Sequence, residues 1–168
     1  MAIELANVRA SGEPLRQYNH DLVIPNVPNG GDGEAFRLRL LNTVLPGFQS
    51  EVFESNHFGF VTKHAGRGLF PRVLTAEYEE SADMIVYRTL SAWYQLQWDI
   101  NTGVQVSSDL YKTDGFLQVL DGEKNVVGTV NLFNMFIEDV ADAPLDGAVS
   151  EGVRVPVSFS YDEIEYEF

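Results

Sequence analysis

Along much of this chain apolar and polar positions alternate with the two-residue period of a strand that buries one face. From about Val153 to Ile164, the positions Val153, Val155, Val157, Phe159 and Tyr161 fall on one side, and Arg154, Ser158, Ser160 and Asp162 on the other. Pro156 lies inside this run and has no amide to donate, so its amide position is expected to face an edge or a bulge. Phe116 to Leu120 and Val126 to Ile137 flank Asp121-Gly122-Glu123-Lys124. This reads as a hairpin, with Asp-Gly supplying the positive φ angles of a tight turn. Val73 to Tyr78 reads as a further strand. In Phe36 to Val44 the series Phe36, Leu38, Leu40, Val44 alternates with Arg37, Arg39 and Thr43, blurred by Leu41 and Asn42. The stretch before it, residues 25 to 33, concentrates Pro, Asn and Gly and reads as a loop.

The period changes to 3.6 in one place, about Ala82 to Trp98. Ser81 is placed to accept from the free amides of a first turn, and Asp83 suits the positive end of the helix dipole. At about 100° per residue, Val86, Leu90 and Trp93 form the centre of an apolar face flanked by Ile85, Thr89 and Leu96, and Tyr87, Tyr94 and Trp98 form a second stripe beside it. Arg88, Ser91, Gln95 and Asp99 lie opposite. So wide an apolar arc fits either a broad contact with the chain's own core or a helix wedged between its own sheet and a neighbour. Asn101-Thr102-Gly103 reads as a helix stop, and the chain beyond it as β.

Residues 46–71 follow neither period. They hold five Phe among Gly, Ser, Asn, His and Lys, and are too long for an ordinary connection inside a compact domain. Two readings are open: a functional segment that packs against something else, or an extra hairpin folded on its own domain.

Composition narrows the class. The 168 residues are 45% hydrophobic, enough for one domain with a packed core. There is no cysteine, which removes disulfides, zinc-thiolate sites and cysteine nucleophiles. No run approaches the roughly 20 apolar residues that span a bilayer, and the start MAIELANVRASGEPLRQ lacks the basic and apolar regions of an export signal. The net charge is −14 and uneven: residues 1–88 carry 11 acids against 8 bases, residues 89–168 carry 14 against 3. Such a chain repels phosphate backbones and is not built to grip nucleic acid. It could line a passage to which nucleic acid must not adhere.

Catalytic chemistry is poorly represented. The ring bases His20, His57 and His64 have neither metal-ligand spacing nor a glycine-flanked serine beside them. Gly66-Arg67-Gly68 lacks the Lys-Ser or Lys-Thr of a phosphate loop. Asp162, Glu163, Glu165 and Glu167 are expected to alternate on two faces of a strand and lack a glycine-centred calcium loop. They read as a solvated acidic edge. No metal or cofactor is expected.

The order of motifs resembles the tail tube proteins of contractile-tailed bacteriophages, related in fold to type VI secretion tube proteins. The resemblance rests on Leu45-Pro46-Gly47 closing an early strand, a long loop, and Gly66-Arg67-Gly68-Leu69-Phe70 leading into the strand Arg72 to Glu79. It continues with the helix bearing Val86-Tyr87 and Ser91-Ala92-Trp93, then Asp109 to Asp114, and the closing Val157 to Asp162. It implies a mainly β protein, a β-sandwich or partial barrel flanked by one helix, with six copies per ring and rings stacked by the long loop at about Gly47 to Phe70. Carried over by position, Phe48, Phe53, His57, Phe58, Phe60, Lys63 and Arg67 are the ring-stacking candidates. Tyr87, Tyr94 and Trp98 become the sheath-side candidates, with Val86, Leu90 and Trp93 in the core. Asp109, Asp121, Glu123 and Asp162 are candidates for lumen charge. The implied partners are further copies of the chain, a tail sheath protein, and baseplate and terminator proteins, with DNA only as transiting cargo and no membrane. The implied setting is a virion tail assembled in the host cytoplasm. The alternatives are a tail-tip, baseplate or terminator ring, a protein-delivering injection tube, or a ligand-binding β-sandwich with the aromatic segment as its platform.

Overall fold

In the computed structural model the described residues are 15–146, 148 and 151–168. The N-terminal residues 1–14, on which the absence of an export signal largely rests, lie outside them. The strands are β1 (His20–Val23), β2 (Leu40–Thr43), β3 (Gln49–His57), β4 (Phe60–Leu69), β5 (Val73–Glu79), β6 (Thr113–Leu120), β7 (Val126–Val140), β8 (Arg154–Ser160) and β9 (Glu163–Glu167). Helices α1 (Gly33–Arg37), α2 (Ile85–Gln97) and α3 (Ser108–Tyr111) interrupt them.

Among the described residues the main sheet runs β1-β6-β7-β8-β5-β2, with β9 also on β7, while β3 and β4 form a separate two-stranded sheet. The long strand β7 makes this a two-layer structure. Its first part pairs with β6 on one side and β9 on the other, and from Phe136 onward it pairs with β8. Near the change of partner Asn134 takes a positive φ of 55°, held by the Asp114 carboxylate, which accepts from its backbone N–H at 3.0 Å. Leu22, Leu117, Val130 and Leu132 from one layer and Leu74, Tyr78, Val157 and Phe159 from the other enter one buried cluster. The path is not closed, because β1 and β2 stand at its two ends. The β-sandwich or partial-barrel expectation is met on these terms.

The strands that bury one face match their pattern. Val155, Val157, Phe159 and Tyr161 are all buried. Pro156 accepts from the Ala141 N–H just past the end of β7, so its missing donor falls where that ladder has run out. Four local expectations change. Phe36 to Leu38 is not strand: Asp32 caps α1 by accepting from the Glu34 and Ala35 N–H groups at 3.1 Å each. Phe36 is thereby turned into the core while Leu38 is left 76% exposed. Helix α2 begins at Ile85 rather than Ala82, because Met84 sits in a left-handed conformation (φ 53°) ahead of it. Ser81 reaches the Ile85 N–H only at 3.5 Å, and the Glu80 carboxylate does the capping, accepting from Val86 N–H at 3.0 Å and Tyr87 N–H at 2.7 Å. Ser108–Tyr111 is a helical turn inside the part expected to be wholly β. In the β6–β7 turn the left-handed residue is Lys124 (φ 70°), not Gly122, while the Asp121 carboxylate accepts from the Glu123 and Asn125 N–H groups at 2.8 Å.

Among the described residues one core hydroxyl lacks a partner. The Tyr78 side chain is fully buried, stacked on Phe36 with ring centroids 4.1 Å apart, and none of the described residues hydrogen-bonds its hydroxyl. Burial pushes the phenol well above its ordinary value of 10. A buried hydroxyl without a partner carries a desolvation cost of about 1–3 kcal/mol, so Tyr78→Phe is expected to leave the unfolding midpoint unchanged or raise it. The raised value also fixes a sign. The folded state holds this proton more tightly than the unfolded chain, so this group takes nothing from stability below pH 10 and lowers it as pH rises above that value. Denaturant unfolding of both proteins between pH 8 and pH 11 checks this: Tyr78→Phe is expected to lose less stability over the alkaline part of the range.

Candidate assembly surface

Residues 49–69 form an ordered hairpin, not an irregular loop, and the hairpin stands off its own domain. It contacts itself and hardly anything else, and nearly every residue on it is exposed. Its turn is two residues long, Phe58 and Gly59, with φ angles of 52° and 84°. Two consecutive positive φ angles make the tight turn that matches the twist of paired strands. The roots are tied to the C-terminal segment: the Tyr166 hydroxyl donates to the Pro46 carbonyl at 3.1 Å, and the Tyr161 hydroxyl to the Pro71 carbonyl at 3.0 Å. Burial raises the Tyr161 phenol above its ordinary range.

Pairing sorts the hairpin candidates by face. Phe53 lies opposite His64, Ser55 opposite Thr62 and His57 opposite Phe60, so these six share one side. Val52 with Ala65, Glu54 with Lys63 and Asn56 with Val61 share the other. On the first side Phe53 and His64 stack at 5.1 Å, and Ser55, Thr62 and His64 Nε2 share hydrogen bonds of 2.7 to 3.2 Å. On the second, Lys63 and Glu54 form an ion pair at 3.3 Å. Arg67 lies nearer the root, 3.8 Å from Glu51 at the bulge. Phe48 is at the root itself, edge-on to Tyr166 at 6.4 Å. Phe58 alone occupies the tip, with its side chain fully exposed.

The α2 candidates also separate. Val86, Leu90 and Trp93 are buried, and the Trp93 indole donates to the Tyr111 carbonyl at 2.7 Å. Tyr87 and Tyr94 remain half exposed and line a cleft of about 320 Å³ with Ile100, Glu138 and Asp139 at the end of β7. Trp98 is not part of that cleft; it ends the helix, and its backbone bridges to Gln105.

The acidic candidates are scattered. Asp121 and Glu123 share the β6–β7 turn, Asp109 lies in α3, and Asp162 pairs with Lys112 at 2.7 Å. The Asn125 side chain, with backbone N–H groups beside it, lowers the Asp121 carboxyl below its ordinary range. One acidic row differs from the sequence expectation: Glu163, Glu165 and Glu167 share a single exposed face of β9, with Ile164 and Tyr166 on the other. The strict alternation E-I-E-Y-E carries that signal once Asp162 is recognised as lying before the strand.

By sequence the chain matches no protein-family model and no curated protein. Solved structures do share its shape. A chain of the PVC sheath/tube terminator of an extracellular contractile injection system, in the extended state, aligns with TM-score 0.67 and 12% identity over 94% of this chain and 99% of that one. A chain of the PVC sheath-tube complex gives 0.64 and 12% over 99% of both. One from the anti-feeding prophage tube-terminating cap gives 0.62 and 15% over 93% and 92%. The chain has a tail-tube-like fold. At these identities it is the fold that is shared, and the resemblance read from the order of motifs holds at that level.

Proposed function

We propose that this protein is a structural, non-enzymatic subunit of a hollow tail tube, in which six copies close a ring and rings stack into a conduit inside a contractile sheath. The observation that carries this reading is the hairpin of residues 49–69, joined to a tail-tube-like fold: an ordered, aromatic projection that its own domain leaves uncovered. A subunit that repeats along an axis needs a heterologous contact reaching a neighbour's different surface, and a projecting hairpin supplies one. Further copies, a sheath, a baseplate and a terminator are the partners in this reading, and the setting is a virion tail assembled in the host cytoplasm. Among the described residues no helix is long and apolar enough to cross a membrane.

The cleft between Tyr87 and Tyr94 and the exposed Trp98 are the sheath-side or lateral contacts on this proposal. Asp109, Asp121, Glu123 and Asp162, with the Glu163, Glu165 and Glu167 row, are the candidates for the lumen. Like charge within a Debye length of about 8 Å keeps DNA from adhering as it passes. The solved relatives also support a second reading, a ring that ends a tube, since two of them are named as terminator and cap. A tube that delivers protein is a third, since the PVC relatives are named as parts of an extracellular injection system.

Electron microscopy of the purified protein at high concentration separates these. A tube subunit is expected to give long hollow rods, and a terminator single rings. A protein that stays monomeric and binds a ligand saturably would instead be a binding module. In reconstructed rods, a lumen lined by Lys and Arg would sink the charge assignment.

A further inference from the structure

We propose that the hairpin makes its contact with one side only: the side carrying Phe53, His57, Phe60 and His64 lies against a second copy of this chain, and the side carrying Glu54 and Lys63 stays in solvent. This rests on the stacked-tube reading and adds which face of the projection is buried.

The two faces differ in what burial would cost. From Phe53 to His64 the aromatic side holds no carboxylate, ammonium or guanidinium, and three of its polar atoms already bond to one another: Ser55 to Thr62 at 2.7 Å, and His64 Nε2 to both at 3.1 and 3.2 Å, which leaves the His57 ring and His64 Nδ1 to meet polar groups across the contact. A face whose polar groups are paired leaves few unmet hydrogen bonds when water is removed. Covering the opposite face would dehydrate the Glu54–Lys63 pair, and taking two charges out of water is poorly repaid even when they remain paired. The tip agrees with a contact beyond the chain. Phe58 is an aromatic residue in a left-handed backbone conformation, fully exposed at the far end of the projection. The turn accounts for the backbone conformation, but among the described residues nothing covers the ring.

Charge favours another copy as the occupant. The chain carries −14, yet residues 49–69 hold two acids, Glu51 and Glu54, and two bases, Lys63 and Arg67. The whole excess of negative charge therefore lies elsewhere on the molecule. Two such bodies repel wherever their acidic surfaces meet. The hairpin is the projection through which one approaches the other without adding like charge. Size sets the order of the assembly. A strand pair about 30 Å long and about 10 Å wide offers roughly 300 Å² on one face, short of the ~800 Å² per partner of a standard stable interface. A single hairpin contact does not hold two copies together; the same contact repeated around a ring does, and growth then begins at a threshold concentration.

Two double variants on the same two strands test the assignment. Phe53→Ser with Phe60→Ser removes rings from the aromatic face; Val52→Ser with Val61→Ser removes the exposed apolar groups of the other, smaller in area, so a crosslinking comparison carries equal weight. Sedimentation of rods across a concentration series is expected to show the threshold raised about tenfold or more in the first and within about twofold of the parent in the second. A photo-crosslinking side chain in place of His57, compared with one in place of the adjacent Asn56, leaves the remaining rings intact. Crosslinked pairs are expected from position 57 and not from 56. Equal thresholds for the two double variants, or crosslinks from position 56 in place of 57, would overturn the face assignment while rods still formed and the tube reading stood. A parent protein that forms no rods at any concentration would overturn both.

Discussion

Excising residues 51–67 and joining Ser50 to Gly68 through an Asn-Gly turn is expected to give a protein that folds as well as the parent and does not elongate into rods. Ser50 and Gly68 face each other in the hairpin register, so a two-residue turn with positive φ angles closes the gap without strain. The excised part contributes nothing to the buried cluster: none of its residues is in the core. The root contacts survive, because the Tyr166 and Tyr161 hydroxyls hold Pro46 and Pro71, outside the deletion. Stability from denaturant unfolding should therefore match the parent to within about 1 kcal/mol, and near-UV circular dichroism should keep the signal of the buried aromatics, while far-UV ellipticity falls only by the share of the excised strands. Rod formation under the microscope should be lost. Unchanged rods would remove the hairpin from the stacking contact and the main support for a tube.

The same hairpin shows why part of the fold is legible in the sequence and part is not. Strands β5, β6 and β8 each bury one face, and burial is what writes a period of two: Leu74, Ala76 and Tyr78 alternate with exposed or half-buried neighbours as Val155, Val157 and Phe159 do. Strands β3 and β4 bury neither face within their own chain, so Phe, Ser, His and Lys occur on them without apolar alternation, and the segment reads as irregular. The aromatic content was informative and the element type was not. Phe36 misleads for a different reason. Its spacing from Leu40 fits a strand, but Asp32 two residues before Glu34 is a capping signal that outweighs a short apolar pattern. Helix α2 was legible along its face and not at its start, because the capping carboxylate comes from Glu80, six and seven residues before the amides it serves. The lumen candidates were chosen by charge alone. Charge does not say which carboxylates share a face; the period of two in β9, which begins only after Asp162, is what gathers Glu163, Glu165 and Glu167 into one row.

The second large effect is expected in the core, and it separates the two tryptophans. Trp93→Ala should cost about 3–5 kcal/mol, the range for emptying a buried aromatic site, and it removes more than volume. The indole fills the space beside Phe159, with ring centroids 5.7 Å apart, and its N–H satisfies the Tyr111 carbonyl at the end of α3. Loss of both leaves a cavity and a carbonyl without its donor, against a total stability of about 5–15 kcal/mol for a domain of ordinary size. Trp93→Phe keeps much of the packing and loses the donor, so it should fall between the parent and the alanine variant. Trp98→Ala should behave differently. Trp98 is 45% exposed at the end of α2, and its removal is expected to shift the midpoint by about 1 kcal/mol or less. Urea titration followed by fluorescence reads both, since these are the chain's two tryptophans and the one retained in Trp93→Ala is the solvent-exposed one, with redder emission. If Trp98→Ala folds normally yet alters rod or sheath assembly, the exposed stripe of α2 is a contact surface. If Trp98→Ala destabilises the isolated protein as much as Trp93→Ala, the wide apolar arc of the helix is a broad core contact, and its outer stripe has no role beyond the fold.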